Sequence, residues 1–191
     1  SNETHEVYAN REAFFNGNRI TFARYNSQTP VSGHPFTPEG TANSSRRTRL
    51  AAQLREMRTT YNKLCSRLEQ SSEDERESIR ELMEFFPRVD DLSTEMLHRW
   101  EMQRRAPDLL ITNYSMLSVM LMRHIDPAID GDQSDGQIID QTREWLAGDR
   151  TRVFNLVVDE LHLYRGTSGT EISYLLKLFL KRIGLTPESP Q

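Results

Sequence analysis

The sequence lacks the residue pattern that one common class of phosphate-binding loop requires. Such a loop runs Gly-x-x-x-x-Gly-Lys-Ser/Thr, because its backbone N–H groups and its lysine must together reach the phosphates. No Gly-Lys pair occurs anywhere in the 191 residues. We therefore do not expect the chain by itself to hold a nucleoside triphosphate through a loop of this kind.

Thiols and long apolar runs are also scarce. Cys65 is the only cysteine, which excludes an intrachain disulfide and a cysteine-cluster metal site and favours a reducing, cytoplasmic compartment. No stretch approaches the roughly 18 apolar residues of a membrane span, and the polar first residues lack the apolar core of a signal peptide. We expect no membrane partner.

The histidines and the acidic loop do not form a recognisable metal motif. No two histidines have the His-Glu-x-x-His spacing of a zinc hydrolase; they are His5, His34, His98, His124 and His162. In the loop 126–136, a calcium EF-hand counted from Asp130 would need Gly and Glu where Asp135 and Gln141 stand. A solvated loop before a helix at Ile138–Leu146 is the predicted structure.

Charge is unevenly distributed, although its sum is small. The net charge is −4, and with only 36% hydrophobic residues the core is lean, so we expect part of the surface to meet other domains. Residues 46–70 carry seven basic and two acidic side chains, whereas residues 73–95 carry nine acidic and three basic ones. Any contact with nucleic acid must therefore be local.

The segment 44–105 is predicted to be a helical insertion. Its first helix has an apolar stripe at steps of three and four: Leu50, Leu54, Met57, Tyr61, Leu64 and Leu68. The second opens at Ser72 with Glu75 three residues on, a capping box, and is ended by Pro87. A third is expected from Ser93 to just before Pro107. A crossover between parallel strands needs only about a dozen residues, so this connection is unusually long.

The basic side of the first of these helices is a candidate nucleic-acid contact. Arg46, Arg47 and Arg49 supply guanidinium forks that match phosphate oxygens bidentately. The plainer interpretation is that these charges are solvated, or pair with the acidic segment that follows. Both interpretations remain open at the level of sequence.

The most specific pattern lies near the C-terminus, where Val153–Val158 runs into Asp159-Glu160-Leu161-His162. An unalternated β-branched run predicts a strand buried on both faces, and acids at its carboxyl end face the crevice where open α/β sheets bind ligands. One carboxylate would hold Mg²⁺ through water and the other would position an attacking water. The competing interpretation is that the two acids cap the following turn.

This pattern resembles the second motif of the superfamily-two DEAD/DEAH-box helicases, which is Asp-Glu-x-His or Asp-Glu-x-Asp after a hydrophobic strand. Residues 107–117 are similar to the strand and turn that precede it, with Thr112-Asn113-Tyr114-Ser115 where the family usually has Thr-Pro-Gly-Arg. Residues 19–25 are similar to an earlier strand of the same domain. These stretches follow one another in the order expected for the family.

The resemblance implies roles for particular residues. Asp159 would hold Mg²⁺ by way of water, Glu160 would orient the hydrolytic water, and His162 would couple hydrolysis to strand movement. Thr112 and Asn113 would contact nucleic acid. The missing arginine puts one phosphate contact in doubt.

The fold class predicted from pattern and resemblance together is α/β, a partial RecA-like parallel sheet with flanking helices. Its strands are expected near 19–25, 108–112 and 153–158, with 1–43 and 106–191 forming the partial ATPase domain and 44–105 the insertion. The parent protein would be an ATP-dependent helicase or translocase. Its cofactors would be ATP and Mg²⁺, and its partners DNA or RNA and its own remaining motor domains.

Without the phosphate loop and the family's Ser-Ala-Thr motif, this piece is expected to bind no ATP and to be inactive alone. A different class of function is also open: a non-catalytic module whose Arg46–Gln70 helix docks nucleic acid or a partner protein. A metal-dependent nuclease built on Asp159 and Glu160 is less favoured, because no second acidic pair follows a neighbouring predicted strand.

Overall fold

The structure, a computed structural model, describes residues 20–37, 39–90, 93–125, 135–186 and 188–189. The acidic loop proposed and rejected as a calcium site therefore lies almost wholly outside the described residues, as does the first residue of the strand predicted at 19–25. Three strands and six α-helices are present in the described ranges. The α/β class predicted from the sequence is confirmed at this level.

The elements alternate irregularly along the chain. In order they are β1 (Phe22–Tyr25), α1 (Ser44–Gln70), α2 (Glu73–Met83), β2 (Glu95–Met96), α3 (Arg99–Arg104), β3 (Leu109–Thr112), α4 (Tyr114–Ile125), α5 (Gln137–Gly148), a 3₁₀ turn (Leu161–Leu163) and α6 (Gly166–Arg182). The described part of the chain divides into two compact units. The first holds β1 up to Arg24, α1, α2, β2 and β3 up to Ile111; the second holds α3, α4, α5 and α6.

The sheet is small and parallel, with strand order β2-β1-β3. Phe22 pairs with Glu95 and Ala23 with Met96, and the Arg24 guanidinium meets the Glu95 carboxylate at 2.7 Å. Side chains alternate along β1, so that Ala23 is fully buried while Arg24 is exposed. The strands predicted near 19–25 and 108–112 are thus confirmed, with β1 beginning three residues late.

Helices α1 and α2 pack against each other through a narrow apolar contact. Leu50 and Leu64 of the predicted stripe are buried on α1, as is Ile79 on α2. Asn43 begins α1 by accepting a hydrogen bond from the Arg46 backbone N–H at 3.3 Å. The capping box predicted at the start of α2 is present. Because only one side of α1 is covered, most of its circumference faces solvent.

The second unit has its core between α4, α5 and α6, which pack against one another. Apolar side chains of all three are buried, with Met102 of α3: Leu117, Met120, Leu121, Ile138, Ile139, Leu146, Ile172 and Leu175. The predicted helix at Ile138–Leu146 is confirmed as α5, and α6 ends just before Gly184. Gly184 takes a positive φ of 86°, the left-handed conformation that commonly ends a helix.

Two predicted elements differ from the structure. The third helix was expected from Ser93, but Glu95 and Met96 pair with β1, and the helix starts only at Arg99 because the backbone before it is extended. The second difference is the buried strand expected at Val153–Val158, which is absent from the described sheet. A strand of that kind needs a hydrogen-bonding neighbour and cover on both faces.

The run 153–158 has cover on one side only. Phe154 packs against Phe179 of α6 with ring centroids 5.7 Å apart, whereas Val153 is 55% and Val157 is 88% exposed. The prediction of a doubly buried strand was therefore wrong for this chain. No helix among the described residues is long and apolar enough to cross a bilayer.

Candidate functional site

The outer side of α1 presents exposed basic side chains. Four are exposed and make no hydrogen bond or ion pair within the described ranges: Arg49, Arg55, Lys63 and Arg67. At 100° per residue, Arg49, Lys63 and Arg67 fall within about 40° of one another around the helix. We call these three residues the basic face. Glu56 lies on the same side, but one carboxylate against three cations leaves the face with an excess of positive charge.

Arg46 and Arg47, which the sequence also singled out, are engaged in structural contacts. The Arg46 Nη1 atom donates to the His34 carbonyl oxygen at 3.3 Å. Gly33 has a φ of +73°, a left-handed conformation that favours glycine, and a Cβ there would lie 2.0 Å from that same Nη1 atom. The Arg47 guanidinium lies 5.3 Å from the centre of the Phe36 ring. Both arginines therefore attach the preceding loop to the helix.

The acidic helix α2 does not neutralise α1. Its arginines pair within their own helix, Arg76 with Glu73 at 2.9 Å and Arg80 with Glu77 at 3.5 Å. No ion pair between α1 and α2 occurs among the residues described. The expected pairing between the wider basic and acidic segments stays a prediction, and α2 itself leaves the basic face accessible.

Thr112 and Asn113 stand at the junction of β3 and α4, and both have intramolecular partners. The Thr112 hydroxyl donates to the Tyr25 carbonyl oxygen at 2.8 Å. The Asn113 Oδ1 atom accepts from the Met116 backbone N–H at 2.9 Å, which caps the first turn of α4. Thr112 is half-buried and Asn113 is exposed. Their nucleic-acid contacts stay a prediction.

The acids Asp159 and Glu160 lie in an exposed turn between the extended run 153–158 and the 3₁₀ turn. The Asp159 Oδ1 atom accepts a hydrogen bond from the Glu160 backbone N–H at 2.8 Å. The Glu160 carboxylate lies 3.3 Å from the His162 Nε2 atom, with both side chains more than half exposed. The structure thus brings Glu160 and His162 together, but it does not put the pair at the end of a paired strand.

The backbone around this turn is tightly constrained. Glu160 has a φ of 50°, a left-handed conformation that costs a residue with a Cβ about 1–2 kcal/mol. Further on, a Cβ on Gly169 would meet the Tyr164 carbonyl oxygen at 2.6 Å, so the first turn of α6 approaches the Tyr164 backbone more closely than any larger residue permits.

Mg²⁺ and a nucleoside triphosphate would need several ligands close together around this turn. No group of three or more His, Cys, Asp or Glu side chains suited to a metal occurs in the described ranges. The Asp159 carboxylate is exposed and carries one backbone hydrogen bond, so it can meet a hydrated cation only as an isolated ligand. With no phosphate loop in the sequence, the residues present do not fit a complete magnesium nucleotide site.

Of the three residues of the basic face, only Arg49 is among the nucleic-acid contacts predicted from the sequence. A helical projection places Lys63 and Arg67 on the same side as Arg49, because they lie 14 and 18 residues further on, close to whole numbers of turns.

Comparison with known proteins gives a short match. The chain is 44% identical over 94 residues to the Druantia protein DruE of Escherichia coli (strain UMEA 4076-1). The match covers 49% of this chain and 5% of that protein, so the chain spans only a small part of the relative's length. No family model matches the chain. No solved structure matches it.

Proposed function

We propose that this chain binds the phosphate backbone of nucleic acid through the basic face of α1. The observation that carries the proposal is that Arg49, Lys63 and Arg67 are exposed and have no partner among the described residues. Because the acidic helix α2 does not pair with these cations, they are available to bind an external anion. Phosphate oxygens are the anion that arginine forks fit best.

The length of the face suits a strand of nucleic acid. From Arg49 to Arg67 the helix rises about 27 Å, and one strand of a duplex has a phosphate every 3.4 Å along the axis, so the face runs beside about eight phosphates. Three cations spaced over that distance contact the backbone and read no bases. The proposed binding is therefore independent of sequence and sensitive to salt.

The test is binding of fluorescent single- and double-stranded oligonucleotides, measured by anisotropy at low salt. The triple variant Arg49→Gln, Lys63→Gln, Arg67→Gln should bind about tenfold more weakly or worse, because each lost phosphate contact removes released counterions. The matched control is Arg76→Gln with Arg80→Gln, whose arginines already pair within α2. Equal losses in the triple variant and the control would overturn the proposal.

A second candidate is favoured by the 3.3 Å contact between Glu160 and His162 in an Asp-Glu-x-His sequence. Under it, the chain is a piece of the first RecA-like domain of a longer helicase or translocase. Its exposed run at Val153, Leu156 and Val157 supports this idea, because an apolar surface of that kind suits cover by further parts of a longer protein. The triphosphate would be held elsewhere in that protein.

This candidate makes a prediction at two levels. The chain alone should show no Mg²⁺-dependent ATP turnover, with or without nucleic acid, because it has no phosphate loop. In a longer protein that contains this sequence, Glu160→Gln should abolish turnover, whereas Glu171→Gln on the exposed side of α6 should leave it unchanged. Turnover by the chain alone, or an active Glu160→Gln protein, would contradict the candidate.

A further inference from the structure

A pocket of about 570 Å³ opens between α1 and the segment that follows α2. Its walls contain two guanidinium groups and one carboxylate, together with a phenol, an amide and a thiol: Arg58, Arg88, Asp90, Tyr61, Asn62 and Cys65. All of them belong to the first compact unit. The pocket is separate from the basic face and from the Asp-Glu-x-His turn.

Both guanidinium groups are held in place through Nε. The Arg58 Nε–H donates to the Val89 carbonyl oxygen at 3.1 Å. The Arg88 Nε–H donates to the Asp90 carboxylate. These two contacts do not involve the Nη atoms of either arginine. Two guanidinium groups with a fixed orientation therefore line one pocket and can present their Nη donors to a ligand.

We propose that this pocket binds a phosphate monoester of nucleotide size. Two cations against one carboxylate leave the pocket positive, and a phosphate monoester carries about −1.5 to −2 charges at pH 7. A bare phosphate would leave most of the volume empty, since pockets of roughly 300–1,000 Å³ hold whole small molecules. Tyr61 contributes an aromatic ring and Asn62 an amide beside which a base and sugar can lie.

The protonation of Tyr61 agrees with a site for an anion. Burial is the main cause that raises its pKa, followed by the neighbouring Cys65, while Arg88 opposes the shift and Asp90 adds to it. The phenol is therefore a neutral hydrogen-bond donor at physiological pH and brings no negative charge of its own. The phosphate has two sources, a free nucleotide or the phosphorylated end of a nucleic-acid strand.

Cys65 provides a direct readout because it is the chain's only cysteine and lines the pocket. The experiment measures the rate at which neutral N-ethylmaleimide alkylates Cys65, by intact mass, in the 191-residue chain. Saturating adenosine 5′-monophosphate should slow alkylation at least threefold, and adenosine, which lacks the phosphate, should not. An oligonucleotide carrying a 5′-phosphate is compared with the same oligonucleotide without it, which identifies a strand end as the source.

Variants connect the protection to the arginines. Arg58→Gln and Arg88→Gln should each abolish the protection, while Arg76→Gln, at an arginine that pairs with Glu73 on α2, should keep it. Arg58→Lys retains the charge without the fork and should give partial protection, which separates loss of binding from loss of folding. The triple variant of the basic face should keep the protection, so failure of the proposed backbone binding is distinguishable from failure here. The proposal is overturned if neither adenosine 5′-monophosphate nor the 5′-phosphorylated oligonucleotide protects Cys65. It is also overturned if protection survives in both glutamine variants.

Discussion

Asp108 accepts two hydrogen bonds from Thr21 through one carboxylate oxygen, from the backbone N–H at 2.7 Å and from the hydroxyl at 2.8 Å. The Asp108 N–H donates back to the Thr21 hydroxyl oxygen at 3.2 Å, and the Leu109 N–H donates to the Thr21 carbonyl oxygen at 3.0 Å. The two residues thereby set the register of β1 against β3, although 87 positions separate them.

We predict that Asp108→Ala destabilises the fold by about 1–2 kcal/mol, because it removes the acceptor of two charge-assisted hydrogen bonds at a partly solvated site. Urea unfolding followed by circular dichroism measures the change. Asp108→Asn keeps one side-chain oxygen and should lose about half as much. If both variants unfold at the wild-type urea concentration, the register of this sheet has another cause.

Gln103 is the centre of a buried polar cluster in the second unit. Its Nε2 atom donates to the Asp135 carboxylate at 2.7 Å, and its backbone carbonyl oxygen accepts from Gln141 Nε2 at 2.6 Å. Gln103→Ala should cost about 3 kcal/mol, because it removes a donor from a carboxylate that is fully buried and leaves a cavity. The control Gln70→Ala, on the exposed end of α1, should change the urea midpoint very little.

Two substitutions of Glu160 distinguish the stability effect of its left-handed backbone from that of its carboxylate. We expect Glu160→Gly to be more stable than Glu160→Ala by about 1 kcal/mol, because both lose the carboxylate but only glycine adopts this φ without steric cost. Thermal unfolding of the two variants gives the comparison. An alanine variant as stable as the glycine variant would show that the turn relaxes when the carboxylate is removed.

Tyr61 should make the stability of the first unit depend on alkaline pH. Burial, the largest cause, raises its pKa above the ordinary 10.0, so the folded state favours the neutral phenol. The stability from this group is complete below pH 10 and is lost as the pH rises through the folded pKa. The urea midpoint should therefore fall more steeply above pH 10 in the wild-type chain than in Tyr61→Phe. Parallel curves for the two proteins would contradict the shift.

Local patterns in the sequence predicted the helices well. The stripe from Leu50 to Leu68 repeats every three or four residues and the Ser72–Glu75 cap spans three, so both depend on nearby sequence alone. Glu95 and Met96 became a strand only through pairing with Phe22 and Ala23, more than 70 positions away, and two residues carry no periodicity.

In the candidate sites, too, the features that depend on distant contacts could not be predicted from the sequence. The run Val153–Val158 has the composition of a buried strand, but composition cannot supply the neighbour that such a strand requires. Likewise, sequence alone does not distinguish Arg46, Arg47 and Arg49, and only the contacts with His34 and Phe36 reveal that two of them hold the preceding loop. The pocket at Arg58 and Arg88 depends on two residues 30 positions apart that no local motif connects.

The salt dependence of oligonucleotide binding tests the central claim most directly, because its slope counts the phosphates that the protein neutralises. For the wild-type chain, the logarithm of the association constant should fall with the logarithm of salt concentration with a slope of about −2 to −3, as three contacts require. In the Arg49→Gln, Lys63→Gln, Arg67→Gln variant the slope should approach zero. An unchanged slope in that variant would contradict the assignment of the basic face as the nucleic-acid interface.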